Sequence, residues 1–169
     1  PAVIDRVADT LSSDLIRLYK GSDLIGTEVG AAAKNVIGIA AGMLDGMGYT
    51  SLKGALMARG AREVARLIRA MGGSELSAYG LCHLGDYEAT LFSPHSHNRM
   101  FGEQFVRHNP YDKLAEGAYT VKALVRLGAQ YGVDLPICTM VDRILYGGFA
   151  PEQALTTLFA RTVKGEFDT

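Results

Sequence analysis

Apolar and polar positions recur with a helical period along most of this chain. Residues 2–12, AVIDRVADTLS, place Val3, Ile4, Val7, Ala8 and Leu11 at spacings of three and four, which predicts an amphipathic helix. The next segment, DLIRLYK at 14–20, sets Leu15, Arg17 and Tyr19 against Ile16 and Leu18, the two-residue period of a strand. Gly21, Ser22 and Asp23 close it with a turn signal. A lone strand leaves its backbone groups without partners. This one therefore either pairs between chains or belongs to a sheet outside the sequence.

From residue 28 onward the period is helical. EVGAAAKNVIGIAAGMLDG, 28–46, is an apolar, small-residue helix with one cation, Lys34, in its middle, and Gly46 and Gly48 mark a turn after it. In SLKGALMARGAREVARLIRAMGG, Ser51 is placed as an N-cap. Leu52, Ala55, Leu56, Val64, Leu67, Ile68 and Met71 share a face, and Gly72 and Gly73 end the helix. Arg59, Arg62, Arg66 and Arg69 fall at helical spacing and read as a solvated face. Residues 74–110 are turn-rich and polar. A helix follows at about 115–131, stopped by Gly132, and Pro136 and Pro151 each open another, the latter running to 161. The last five residues, GEFDT, are expected to fray. The pattern predicts an all-α body.

Composition narrows the classes. A length of 169 residues suffices for one substantial domain, and a net charge of −1 argues against a nucleic-acid partner. Cys82 and Cys138 lack C-x-x-C spacing and read as free buried thiols in a reducing compartment. The opening PAVIDRVADT carries neither a basic n-region nor an apolar h-region, so no signal peptide is expected. The longest stretch almost free of charge, 35–44, falls short of the ~20 residues a membrane span needs. No membrane partner and a cytoplasmic location are therefore expected. No G-x-G-x-x-G occurs, so the chain carries no complete dinucleotide-binding domain.

The candidate chemistry starts at Lys34. A lysine in such a helix either snorkels, laying its methylenes on the helix with its head in water, or is desolvated and able to trade protons nearer neutrality. Residues 79–105, YGLCHLGDYEATLFSPHSHNRMFGEQF, gather further polar side chains. Asp86 and Thr90 are four apart, which on a helix puts them on one face. Ser96, Asn98 and Arg99 cluster at an apparent helix start, where backbone N–H groups favour an anion and Arg99 could fork onto a phosphate. Each also has a plainer reading, Asp86 and Ser96 as caps and Arg99 as an ion-pair member.

The segments IGTEVGAAAKNVIGIAAGM, KGALMARGAREVARL, GLCHLGDYEATLFSPHSHNRMFGEQF, AEGAYTVKAL and DLPICTMVDRILY, in this order, resemble the C-terminal domain of the NAD(P)-dependent sn-glycerol-3-phosphate dehydrogenases, from about Leu15 to about Arg161. The resemblance implies an all-α domain like the C-terminal domain of 6-phosphogluconate dehydrogenase. Residues 1–22 would then be the terminal helix, strand and linker of a preceding Rossmann domain, and residues 23–169 the helical domain. It implies reversible reduction of dihydroxyacetone phosphate to sn-glycerol 3-phosphate for glycerophospholipid synthesis. NAD or NADP would be held mainly by the other domain, and a homodimer is expected. By the same resemblance Lys34 is the proton donor and acceptor, with Asp86 beside it. Asn35, Thr90, Ser96, His97, Asn98 and Arg99 lie around the substrate, and His97, Leu114 and Glu116 meet the cofactor. Without the nucleotide half, this domain alone is expected to be inactive.

One position departs from the family. Where the family usually reads S-R-N, this chain reads Ser96-His97-Asn98. Either Arg99 or Arg107 substitutes for the arginine, or a protonated His97 does, or phosphate affinity is reduced. His83 also stands where smaller residues are usual, with no account in the sequence. Alternatives are a dehydrogenase of the same superfamily acting on another hydroxy acid, and a catalytically silent structural or dimerisation domain. A metal module on His83, His95, His97 and His108 lacks a completing cysteine or carboxylate, and no metal is expected.

Overall fold

In the computed structural model, which describes residues 2–160, seven α-helices account for most of the chain. They are α1 (Ala2–Leu11), α2 (Leu24–Gly46), α3 (Lys53–Ala70), α4 (His97–Val106), α5 (Glu116–Tyr131), α6 (Pro136–Tyr146) and α7 (Pro151–Phe159). No strand occurs among the described residues. The segment 14–20 is irregular because alternation supplies only a tendency, and without a neighbouring strand its N–H and C=O groups have no ladder to join. The expected fraying at 165–169 and the helix residues beyond 160 lie outside the described residues.

Helix α2 is the axis of the fold. Its buried residues include Val29, Ala33, Val36, Ile37, Ile39 and Met43, and α3, α4, α5 and α6 pack around it. By length and composition it could cross a membrane, but here its apolar surface is covered by neighbouring helices, as in a core helix. It begins earlier than the apolar pattern indicates, because Asp23 caps it: Oδ1 accepts from the Gly26 N–H at 2.9 Å. Asp23 Oδ2 also accepts from the Ser77 hydroxyl at 2.6 Å and the Ser74 N–H at 2.9 Å, tying the 74–79 segment to the helix start. Bonds from Ser77, Gly26 and Ser74 hold this carboxyl below its ordinary range. Ser51 is not the cap of α3. It lies inside a tight helical turn, Thr50–Leu52, from which α3 continues.

Gly132 ends α5 in the left-handed region at φ 66°, and Pro136 and Pro151 occupy the first turns of α6 and α7. Helices α2 and α4 cross with their backbones in contact. A Cβ on Gly42 would fall on the Arg99 carbonyl oxygen, and one on Gly102 on the Ile39 carbonyl oxygen. Gly42→Ala is expected to cost about 2–3 kcal/mol through overpacking, lowering Tm by about 5–10 °C. Gly54→Ala, where nothing lies within 4 Å, is expected to raise stability by about 0.5–1 kcal/mol from helix propensity. Thermal unfolding of both variants checks the contrast; an unchanged Tm for Gly42→Ala would contradict the close crossing.

Candidate active site

Four successive positions on one side of α2 organise the polar segment. Gly30 faces Cys82 and His83, Lys34 faces Asp86, Asn35 faces Glu116, and Gly38 faces Thr90 and Asn98. Residues four apart on a helix share a face, so Gly30, Lys34 and Gly38 form a single row. Two of the three are glycines, which lets the facing loop and α4 approach closely. A Cβ at Gly38 would meet Thr90 Cγ2 at 2.9 Å and Asn98 Cβ at 3.4 Å.

Lys34 forms an ion pair with Asp86 Oδ2, with side-chain exposures of 23% and 37%. It neither snorkels freely nor sits in a dry core. The ammonium has three donors, of which Asp86 takes one, so donors remain for a bound oxygen. Asp86 comes from a short turn, Leu84–Asp86, whereas Thr90 lies in a separate wide turn, Glu88–Phe92. The same-face geometry of one regular helix therefore does not apply, and each residue meets α2 independently. Thr90 is buried.

Asn98, in the first turn of α4, accepts from the Gly117 N–H through Oδ1 at 2.9 Å. This binds α4 to the start of α5. Asn35 Nδ2 donates to Glu116 Oε2 at 3.2 Å, and a Cβ on Gly117 would meet the Asn35 carbonyl oxygen at 2.6 Å. Ser96 caps α4, its hydroxyl accepting from the Arg99 N–H at 3.3 Å. His97 is exposed beside it, with Nδ1 2.8 Å from the Tyr111 hydroxyl. Leu114, 65% exposed, precedes Glu116 at the rim. Lys34, Asn35, Asp86, Thr90, Asn98 and Glu116 are thus brought onto the same stretch of α2. Ser96 and His97 stand at the adjoining helix start.

Arg99, expected with the substrate-binding residues, is engaged elsewhere. Its Nη1 lies 3.0 Å from Asp45 and 2.8 Å from Glu103, and its Nε donates to the Ser93 carbonyl at 3.0 Å. Asp45 is eleven residues beyond Lys34 on α2, about 16 Å along the axis. The guanidinium is thus paired at the Asp45 end of α2 rather than at the Lys34 end. Burial opposes the Arg99 charge, but Glu103 and Asp45 outweigh it and hold the guanidinium protonated. Burial likewise pushes Asp45 up, and bonds from Lys53, Thr50 and Arg99 bring it below its ordinary value. Arg107, half exposed, pairs with Glu103 at 2.7 Å.

Sequence reasoning missed three residues here. Tyr111 and Gly117 carry no local signal of their contacts. Tyr87 is fully buried with its hydroxyl on His83 at 2.6 Å, and only the unexplained His83 pointed towards it. His83 has both ring nitrogens engaged inside the fold, and among the described residues no three His, Cys, Asp or Glu side chains assemble as a metal set.

Comparison with known proteins adds the following. The family described as NAD-dependent glycerol-3-phosphate dehydrogenase C-terminus matches residues 23–156. A glycerol-3-phosphate dehydrogenase [NAD(P)+] of Thermus thermophilus is 43% identical over 167 residues, covering 95% of this chain and 52% of that protein. The corresponding protein of Deinococcus radiodurans is 40% identical, covering 98% and 52%. A crystal structure of glycerol-3-phosphate dehydrogenase (gpsA) from Coxiella burnetii superposes with a TM-score of 0.85 at 29% identity, covering 95% of this chain and 52% of that one. The chain spans about half the length of the curated relatives it matches.

Proposed function

The chain belongs to the glycerol-3-phosphate dehydrogenase C-terminal family, and from that premise we propose that, joined to a nucleotide-binding domain, it supplies the substrate site and the acid–base group for NAD(P)-dependent interconversion of dihydroxyacetone phosphate and sn-glycerol 3-phosphate. The observation that carries this reading is the Lys34–Asp86 pair on α2, with Thr90 and Asn98 one turn further on. Exposed Leu114 and the Asn35–Glu116 pair beside it suit the nicotinamide end of a dinucleotide, one apolar surface and one polar edge, rather than its phosphates. The exposed apolar side chains of α1, Val3, Ile4, Val7 and Leu11, support assigning residues 1–22 to the nucleotide-binding half, as does the start of the family match at residue 23. Supply of the glycerophospholipid backbone is the role this reaction would serve.

A nicotinamide cofactor held mainly by the nucleotide-binding domain would supply the hydride that reaches C2 of the substrate. As negative charge grows on the C2 oxygen, the Lys34 ammonium hydrogen-bonds it and then donates its proton, leaving a neutral amine and an alcohol. In the reverse direction the amine takes that proton back. Asp86 holds the ammonium in place against α2 and balances its charge. Partial exposure of Lys34 lets water return the proton between turnovers. The substrate phosphate is placed at the start of α4, where Ser96, His97 and the first-turn N–H groups lie.

Following NADH and NADPH oxidation on adding dihydroxyacetone phosphate to the full-length protein tests the reading. Oxidation that depends on the phosphate supports it; turnover of an unphosphorylated hydroxy acid instead would transfer the assignment to the related dehydrogenases. His97 adds a further expectation: at a fixed pH, His97→Ala should raise KM for the phosphate about 2–5-fold by removing an imidazole hydrogen bond at the start of α4, and an unchanged KM ends the idea.

A further inference from the structure

His83 is fully buried, and each of its polar groups is committed. Nδ1 is 2.8 Å from the Gly30 carbonyl oxygen and Nε2 is 2.6 Å from the Tyr87 hydroxyl. A carbonyl can only accept, so Nδ1 carries the proton and donates to Gly30, and Nε2 accepts from the Tyr87 O–H. Burial lowers the imidazole pKa to about 4; the Gly30 bond opposes this and the Lys34 charge adds to it, so the ring is neutral at physiological pH. The Gly30 carbonyl is also the one that, in an α-helix, accepts from the Lys34 amide. On its other side, the His83 backbone carbonyl accepts from the Asp86 N–H at 3.1 Å. The His83 ring thus ties its own segment, whose main-chain carbonyl holds the Asp86 N–H, to the turn of α2 that carries Lys34. Tyr87 braces it from behind, packed against Ile37 of α2, with its hydroxyl 3.2 Å from where a Cβ on Gly60 of α3 would lie.

We propose that His83 is the positioning residue that holds the Asp86 turn against α2 and keeps Lys34 and Asp86 opposed for proton transfer. The proposal rests on the functional reading above, and its test includes a readout that needs no turnover. His83→Ala removes the clamp. His83→Asn keeps a donor at the Nδ1 position, and Tyr87→Phe removes only the hydroxyl behind the ring.

In the full-length protein, His83→Ala is expected to lower kcat for dihydroxyacetone phosphate roughly 10–100-fold with KM little changed, because misplacement penalises the reacting geometry more than binding. Acetylation of Lys34 by acetic anhydride at pH 8, read by mass spectrometry, should speed up about fivefold as the ion pair loosens. His83→Asn should recover most of both. If His83→Ala does not fold, Tyr87→Phe carries the same test with smaller changes of the same sign. A folded variant that leaves either kcat or the Lys34 labelling rate at the wild-type value overturns the proposal, and so does an asparagine variant no better than alanine. If the wild type shows no turnover, the functional reading falls, and the labelling rates alone still decide whether His83 holds the pair.

Discussion

If Lys34 plays the proposed acid–base role, Lys34→Met in the full-length protein is expected to lower kcat by at least about 10³-fold, because the variant would lack both the proton donor and the charge that meets the developing oxyanion. Methionine retains most of the methylene length along α2, so the packing survives. Asp86 is left without its partner but is 37% exposed on its side chain, and water can solvate it. The stability change should therefore stay within about 1 kcal/mol. Under the proposed reading, in which a separate nucleotide-binding domain holds most of the cofactor, nicotinamide dinucleotide binding should be unaffected. Steady-state kinetics with a parallel thermal melt checks the expectation. A variant retaining a tenth of wild-type kcat would remove Lys34 from the acid–base role.

The second large effect is structural. Glu63, on α3, is 1% exposed, and its carboxyl accepts from the N–H groups of Ile137 at 2.8 Å and Cys138 at 2.9 Å. Pro136 has no N–H, so Glu63 satisfies the first two donors of α6 from another helix. Glu63→Ala leaves both buried without acceptors and is expected to cost about 3–5 kcal/mol. Glu63→Gln keeps one acceptor and should cost about 1–2 kcal/mol.

The pH dependence has a defined sign. Burial raises the Glu63 pKa from 4.5 to about 7, with the bonds from Cys138 and Ile137 pulling partly the other way. Between these values the folded state keeps a proton that the unfolded chain has lost. The proton-linked part of the Glu63 contribution is therefore complete below pH 4.5 and lost as pH rises through about 7, a change on the order of 3 kcal/mol, while its acceptor role for the α6 donors persists. Asp23 and Asp45, whose carboxyls are lowered, act in the opposite direction and lose their contribution as pH falls. The wild-type minus Glu63→Gln difference isolates the Glu63 part. Denaturant unfolding from pH 4.5 to 8 measures it, and a flat difference would refute it.

Helices were legible where apolar spacing met a proline or glycine: α5 with Gly132, α6 with Pro136 and α7 with Pro151 each begin or end where that chemistry requires. The segment 14–20 misled because alternation records a tendency, whereas a strand exists only in its partner's hydrogen bonds. The extra turn at the start of α2 was hidden because Asp23 was read as closing a turn rather than as opening a helix. Of the site, Lys34 stood out by charge in an apolar helix, but its partner is 52 residues away and was reached through family resemblance, not spacing. Arg99 looked like a phosphate ligand by type and place, and the structure gives it to Asp45 and Glu103. Glu63 was indistinguishable from a surface acid, since the α6 donors it serves are 74 and 75 residues further on.

The most direct measurement follows deuterium from C4 of NADH or NADPH into the product formed from dihydroxyacetone phosphate, in the full-length protein and its Lys34→Met variant. The account predicts one deuterium at C2 of sn-glycerol 3-phosphate with the wild type and at most about a thousandth of that rate with the variant. No transfer by the wild type, or equal transfer by both proteins, would contradict it.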